Sequence, residues 1–169
     1  IELDPGMAFG TGMHETTRMC LEFIEKYITP GCIMADIGCG SGILSIAGSR
    51  LGCSTVIAAD IDELAVTTAR NNAVLNNSGN VTVFKGSIDD IPARKYDIIV
   101  ANIVSDVIIY MVKKVRSLLN ARGRFIASGI INYRWRDVEK SITDSGLAVE
   151  DKAVDGEWVA VVCKCAGSS

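Results

Sequence analysis

Histidine is nearly missing from this chain: His14 stands alone. The six cysteines, Cys20, Cys32, Cys39, Cys53, Cys163 and Cys165, form no Cys-x-x-Cys pair. Zinc-ligand spacing is therefore absent, and no metal site is expected. Aromatic residues make up 6% of the chain, no run of Lys or Arg exceeds two, and the formal net charge is -3. These features argue against an electrostatic footprint on nucleic acid or on an anionic membrane, and neither is expected as a direct partner. No apolar stretch approaches the roughly 20 residues that span a bilayer. The first residues, IELDPGMAFGTG, lack the charged and apolar regions of a secretory signal. They also lack a start methionine, so a preceding segment is expected.

What remains is a chain rich in core material. It has 169 residues, 49% of them hydrophobic, which suits one domain with a proper core. Most of the cysteines lie in apolar or glycine-rich contexts, where a free thiol behaves as a small hydrophobe. A reduced cytoplasmic protein follows.

From Ile33 onward, strand and helix patterns alternate. The strand-like runs are IMADIG, TVIAADI, VTVFKG, YDIIVANI and FIASGI, and they are apolar almost throughout. Between them, helical spacing covers GILSIAGSRLG, closed by Gly52, then Glu63 to Asn76, Ser105 to Asn120, and Asn132 to Ser145, stopped by Gly146. In the second of these helices Leu64, Val66, Ala69, Ala73 and Leu75 share one side. In the third, Val107, Ile108, Met111, Val112, Val115, Leu118 and Leu119 form the apolar face. NARGR reads as a turn before the fifth strand. LAVEDKAV and EWVAVVCKC, joined by Asp155-Gly156, read as a hairpin. Continuous apolar strands are covered on both faces, so the fold is α/β. It is Rossmann-like and doubly wound, with a mostly parallel seven-stranded sheet and a C-terminal antiparallel hairpin. Before Ile33 come a glycine-rich loop, LDPGMAFGTG, and an amphipathic helix, His14 to Ile28.

In such a sheet, ligands sit beyond the carboxyl ends of the strands. The stretch DIGCGSGILSIA begins there, with Asp36 followed by Gly38, Gly40 and Gly42. A dinucleotide fingerprint puts its third glycine at position 43, where this chain has Ile43. A Walker loop requires Gly-Lys-Ser or Gly-Lys-Thr, and neither follows. The second strand ends at Asp60, 22 residues after Gly38. An acidic residue at that spacing is placed to accept hydrogen bonds from ribose hydroxyls. Glycine loop and carboxylate together suggest an adenosine-containing ligand, and Ile43 weakens the pyrophosphate reading.

This Gly-x-Gly-x-Gly pattern with Asp36 before it resembles that of class I methyltransferases, whose cofactor is S-adenosylmethionine. The bare backbone gives the methionine moiety room, and acidic groups answer its ammonium and sulfonium charges. Two further stretches, LDPGMAFGTGMHETT and VANI, narrow the match, and the SGI and EWV segments fit as well. Over essentially its whole length the chain resembles the bacterial methyltransferases that act on large-subunit ribosomal protein eleven. The resemblance implies cofactor contacts at Thr17, Gly38, Asp60 and Asn102, to which the glycine-loop pattern adds Asp36 and Gly40. It also implies residues 1–32 as a loop and helix covering the cofactor site, and residues 33–169 as the methyltransferase domain. The two form a single compact domain. Members of the family usually carry a separate N-terminal domain that captures the ribosomal protein, and it is absent from this sequence.

Asn102 is the expected catalytic residue. Its uncharged amide can accept a hydrogen bond from an incoming amine and aim the lone pair at the methyl group. The reaction implied is transfer of methyl groups to lysine or N-terminal amines of the ribosomal protein. Other substrates, whether another protein, a nucleic-acid amine or a small molecule, remain alternatives, as does a non-catalytic cofactor-binding module. Asn102-Ile103 lacks the Asn-Pro-Pro-aromatic pattern of many base-nitrogen methyltransferases. His14 reads as a packing residue rather than a catalyst, since no partner acid is identifiable. Trp135 and Trp158 read as core.

Overall fold

The computed structural model describes residues 1–4 and 14–167. The glycine-rich loop expected in LDPGMAFGTG thus lies largely outside the described residues. The first helix, α1 (Glu15–Tyr27), is capped by His14, whose Nδ1 accepts from the Thr16 N–H. Strands β1 (Ile33–Ile37), β2 (Thr55–Asp60) and β3 (Val81–Lys85) alternate with helices α2 (Ile43–Arg50) and α3 (Glu63–Leu75). Then follow β4 (Tyr96–Asn102), α4 (Ser105–Leu118) and β5 (Leu119–Ile131). A 3-10 turn (Asn132–Arg134) leads into α5 (Trp135–Asp144), and β6 (Leu147–Asp155) and β7 (Trp158–Cys165) close the chain.

The seven strands form one sheet in the order β3-β2-β1-β4-β5-β7-β6. β1 to β5 pair in parallel, and β7 runs antiparallel to both β5 and β6. Side chains alternate across the sheet, which sorts the core into two layers. Ile37, Ile57, Ile99 and Phe125 meet Ile108, Val112 and Val138 of α4 and α5. Met34, Val56, Val100 and Ile126 meet Met19, Phe23, Ile24 and Leu44 of α1 and α2. α3 packs Val66 and Ala69 on Ala58 and Val83. Among the described residues, no helix is long and apolar enough to cross a membrane.

Four expectations are corrected. NARGR is not a free turn, because β5 starts at Leu119 and its pairing jumps from Tyr96↔Leu119 to Ile98↔Arg124. Asn120 Nδ2 bonds Asp97, holding the bulged residues against the neighbouring strand. On α3, Val66, Ala69 and Ala73 are buried, but Leu64 and Leu75 are exposed because they flank the strip that meets the sheet. Val107 of α4 is 43% exposed and faces the cleft described below instead of the core. Trp135 is buried, whereas Trp158 is only half-buried, its ring set edge-on to His14 at 5.3 Å.

Candidate functional site

The chain leaves β1 on one side of the sheet and returns through β4 on the other, so the strand order reverses between these neighbours. Their carboxyl ends part there and leave a crevice. A cleft of about 670 Å³ opens at this point, within the range that takes a small organic ligand. Its walls include Thr17, Gly38, Gly40, Asp60 and Asn102, five of the six residues singled out from sequence. Ile61, Ile88, Val107 and Tyr110 supply apolar surface.

The glycine loop is shaped by close contacts. Gly38, Gly40 and Gly42 all hold positive φ, of 71°, 54° and 81°. A Cβ at Gly38 would strike the Ile103 side chain, and one at Gly42 would lie 3.1 Å from Ala69 Cβ. Only glycine meets both demands cheaply. Asp60 ties the loop to β2: its Oδ2 accepts from the Gly40 N–H at 2.9 Å, and its Oδ1 accepts from the Asp62 N–H at 3.0 Å. Each carboxylate oxygen keeps a further lone-pair direction for a ligand hydroxyl. Asp62 in turn caps α3 through the Leu64 N–H at 3.0 Å.

Asn102 ends β4, where Ile37↔Ala101 pairing sets it beside the start of the glycine loop. Its Nδ2 donates to Thr17 Oγ1 at 3.2 Å, across 85 residues of sequence. That bond orients the amide, leaving Oδ1 to accept from a donor entering the cleft. His14 sits at the rim, its Nδ1 2.8 Å from Thr16 Oγ1, which agrees with a capping and packing role.

Asp36 departs from expectation. It is 1% exposed and lies behind the cleft wall rather than on it. Ser45 Oγ donates to its Oδ2 at 2.6 Å, while Oδ1 has no partner. Burial pushes its carboxyl up from 3.8 to about 6, the Ser45 hydrogen bonds oppose the shift, and the Asp60 charge adds to it. Ser45 was not singled out from sequence; as a helix-interior serine it carried no signal of its own. Nor was Asn72, although an asparagine spaced with Ala65, Ala69 and Ala73 on a buried helix face was a readable anomaly.

The fit to a cofactor can be judged from the donor set. No Lys or Arg lines the cleft among the described residues; its charged lining is Asp60 and Asp62, with His14 at the rim. A phosphate would find no cationic side chain there, whereas a cation finds acid on the wall and the unsatisfied Asp36 Oδ1 behind it. The residues therefore suit an adenosine bearing a positive charge. Six cysteines are free and buried, and no group of three or more His, Cys, Asp or Glu could hold a metal among the described residues.

Residues 1–166 match the family described as Ribosomal protein L11 methyltransferase (PrmA). A ribosomal protein L11 methyltransferase of Acetivibrio thermocellus is 49% identical over 168 residues, 99% of this chain and 54% of the relative. That of Thermoanaerobacter pseudethanolicus is 51% identical over 164 residues, 97% of this chain and 53% of the relative. The chain thus spans about half the length of the curated relatives it matches. The crystal structure of ribosomal protein L11 methylase from Lactobacillus delbrueckii subsp. bulgaricus superposes with a TM-score of 0.92 at 34% identity. That match covers 97% of this chain and 84% of the other. A putative RNA methyltransferase from Pyrococcus horikoshii, at 18% identity and a TM-score of 0.76, shares the fold alone.

Proposed function

The chain belongs to the ribosomal protein L11 methyltransferase family, and on that premise we propose that it is the catalytic domain of an S-adenosylmethionine-dependent protein N-methyltransferase. Its substrates are lysine or N-terminal amines of ribosomal protein L11, and the cytoplasm is its place of action. The observation that carries this reading is the Asn102–Thr17 pair on the wall of a cleft that no Lys or Arg lines among the described residues. We assign the cofactor to Thr17, Gly38, Gly40, Asp60 and Asn102, with Asp36 acting through its charge from behind the wall. Of the expected covering segment, 1–32, residues 5–13 lie outside the described residues, and α1 supplies Thr17.

When bound, the cofactor supplies an electrophilic methyl group on a sulfonium. The chain's own task is to present an unprotonated amine in line with it. At pH 7, deprotonating a lysine from a reference near 10.4 costs about 4.6 kcal/mol, and an α-amine near 8 about 1.4 kcal/mol. A cleft that already holds a positive charge lowers the amine's affinity for its proton and reduces that cost. Asn102 Oδ1 accepts from the neutral amine and orients its lone pair, while Thr17 fixes the Asn102 amide. Such alignment can contribute about 7–11 kcal/mol to the transfer step, and the amine's proton leaves to water before it, so no strong base is required.

Calorimetric titration with S-adenosylmethionine tests the cofactor assignment. Wild type should bind, and Asp60→Ala should lose at least about ten-fold in affinity, the worth of a charge-assisted hydrogen bond. Equal affinity in the two proteins would remove Asp60 from the site. A radiolabel transfer assay on purified ribosomal protein L11 then tests the substrate.

A further inference from the structure

Residues 2–4 are pinned to α3 by two asparagines. Glu2 N–H donates to Asn76 Oδ1 at 3.0 Å, and Asn76 Nδ2 donates back to the Glu2 carbonyl at 2.6 Å. Asp4 N–H donates to Asn72 Oδ1 at 2.9 Å. Asn72 itself is 0% exposed, and its Nδ2 donates to the Ser41 carbonyl at 2.8 Å. One buried amide thus joins two pieces of chain far apart in sequence: the N-terminal segment and the glycine loop that walls the cleft.

We propose that Asn72 is a positioning residue for the cofactor site, coupling the seating of residues 2–4 on α3 to the shape of the glycine loop. The inference rests on the reading that the cleft takes S-adenosylmethionine. A fully buried amide needs both ends satisfied, because an orphaned buried polar atom costs far more than a hydrogen bond gains. With Asp4 seated, Asn72 Oδ1 is occupied, and Nδ2 is aimed at Ser41. With Asp4 released, Oδ1 loses that donor and opens to water, and the amide is no longer held in the orientation that serves Ser41. Ser41 then loses its donor. That carbonyl belongs to the residue before Gly42, whose left-handed conformation starts α2, so its tilt propagates into the loop. α3 presents both contacts on one face, because Ala69 meets Gly42 and Asn72 follows three residues later. Ligand binding that fixes the loop also favours seating of the segment, since the two share one amide.

Asp4→Pro deletes the N–H that seats on Asn72 at an exposed position, and Asn76→Ala loosens the same segment while also releasing the Asn72 carbonyl and Arg50 of α2. In the full chain, each is expected to weaken calorimetric S-adenosylmethionine affinity by about five-fold, the worth of one hydrogen bond. Each should also speed amide exchange at Gly40 and Gly42 in the ligand-free protein. Combining Asp4→Pro with Asn72→Ala should weaken affinity no further than Asn72→Ala alone, since both remove one linkage. Additive losses, or glycine-loop exchange unchanged in Asp4→Pro and Asn76→Ala, would overturn the coupling. Failure of wild type to bind at all would overturn the cofactor assignment instead, and the ligand-free exchange would still decide the coupling.

Discussion

Thr17 and Asn102 show how much rests on one hydrogen bond between two uncharged side chains. Thr17→Val removes the oxygen that holds the Asn102 amide while keeping shape. Turnover should fall about ten-fold with cofactor affinity changed less than about three-fold, and Asn102→Ala should cost about 10²-fold in kcat. Losses in affinity as large as those in turnover would leave the pair as cofactor contacts alone and remove the orienting role. Asp36 carries the second prediction. Its carboxyl sits at about 6 in the folded chain against 3.8 as reference. Between about pH 4 and pH 6 the folded state holds a proton that the unfolded chain has released, so Asp36 takes away stability as pH rises through that window. In Asp36→Asn that loss is gone, a difference on the order of 2–3 kcal/mol between pH 4 and pH 7. Urea denaturation of both proteins across this range measures it, and parallel curves would refute the raised carboxyl.

The strand ends of β4 and β5 meet at Gly129, φ 79°, where an added Cβ would lie 2.5 Å from the Ile103 carbonyl. This packing places the residue after Asn102, so the site and the sheet share one contact. Gly129→Ala combines a left-handed conformation with a backbone clash, and should cost roughly 2–5 kcal/mol. Gly31→Ala, at φ 84° with nothing within 4 Å, bears only the conformational part, roughly 1–2 kcal/mol. Urea midpoints that drop equally in both would show that the clash relaxes freely. Helical periodicity had marked α4 and α5 well, while its failures at Leu64, Leu75 and Val107 share a cause. Each is apolar at the edge of its helix face, and whether an edge position is covered depends on the neighbour packed there, which the repeat does not encode.

For the molecule as a whole, a ligand seated between β1 and β4 bridges the two halves of the sheet and stabilises the native state by mass action. At 100 times its Kd, S-adenosylmethionine should contribute about 2.7 kcal/mol, or roughly 5–10 °C in Tm for a chain of this size. A nicotinamide dinucleotide at the same concentration should leave Tm unchanged, because Ile43 stands where the pyrophosphate-binding turn needs its third glycine, and no Lys or Arg lines the cleft among the described residues. The reverse ranking would restore the dinucleotide-binding reading that Ile43 argues against.

The alternation of apolar strands and amphipathic helices, the glycine loop after β1 and the carboxylate ending β2 were all legible from residue order. They are local patterns, and local patterns report burial directly. The identity of the family was legible too, through motifs lying within single loops and strand ends. What folding alone settled is which distant residues meet. Thr17 reaches Asn102 only because α1 lies on the opposite face of the sheet from α4. Asp36, acidic and next to the loop, retreats behind the wall because β1 alternation turns it toward Ser45 of α2. Asn72 becomes a bridge only because residues 2–4 run back along α3. Crossover connections bring such partners together at no fixed spacing, so periodicity does not reveal them.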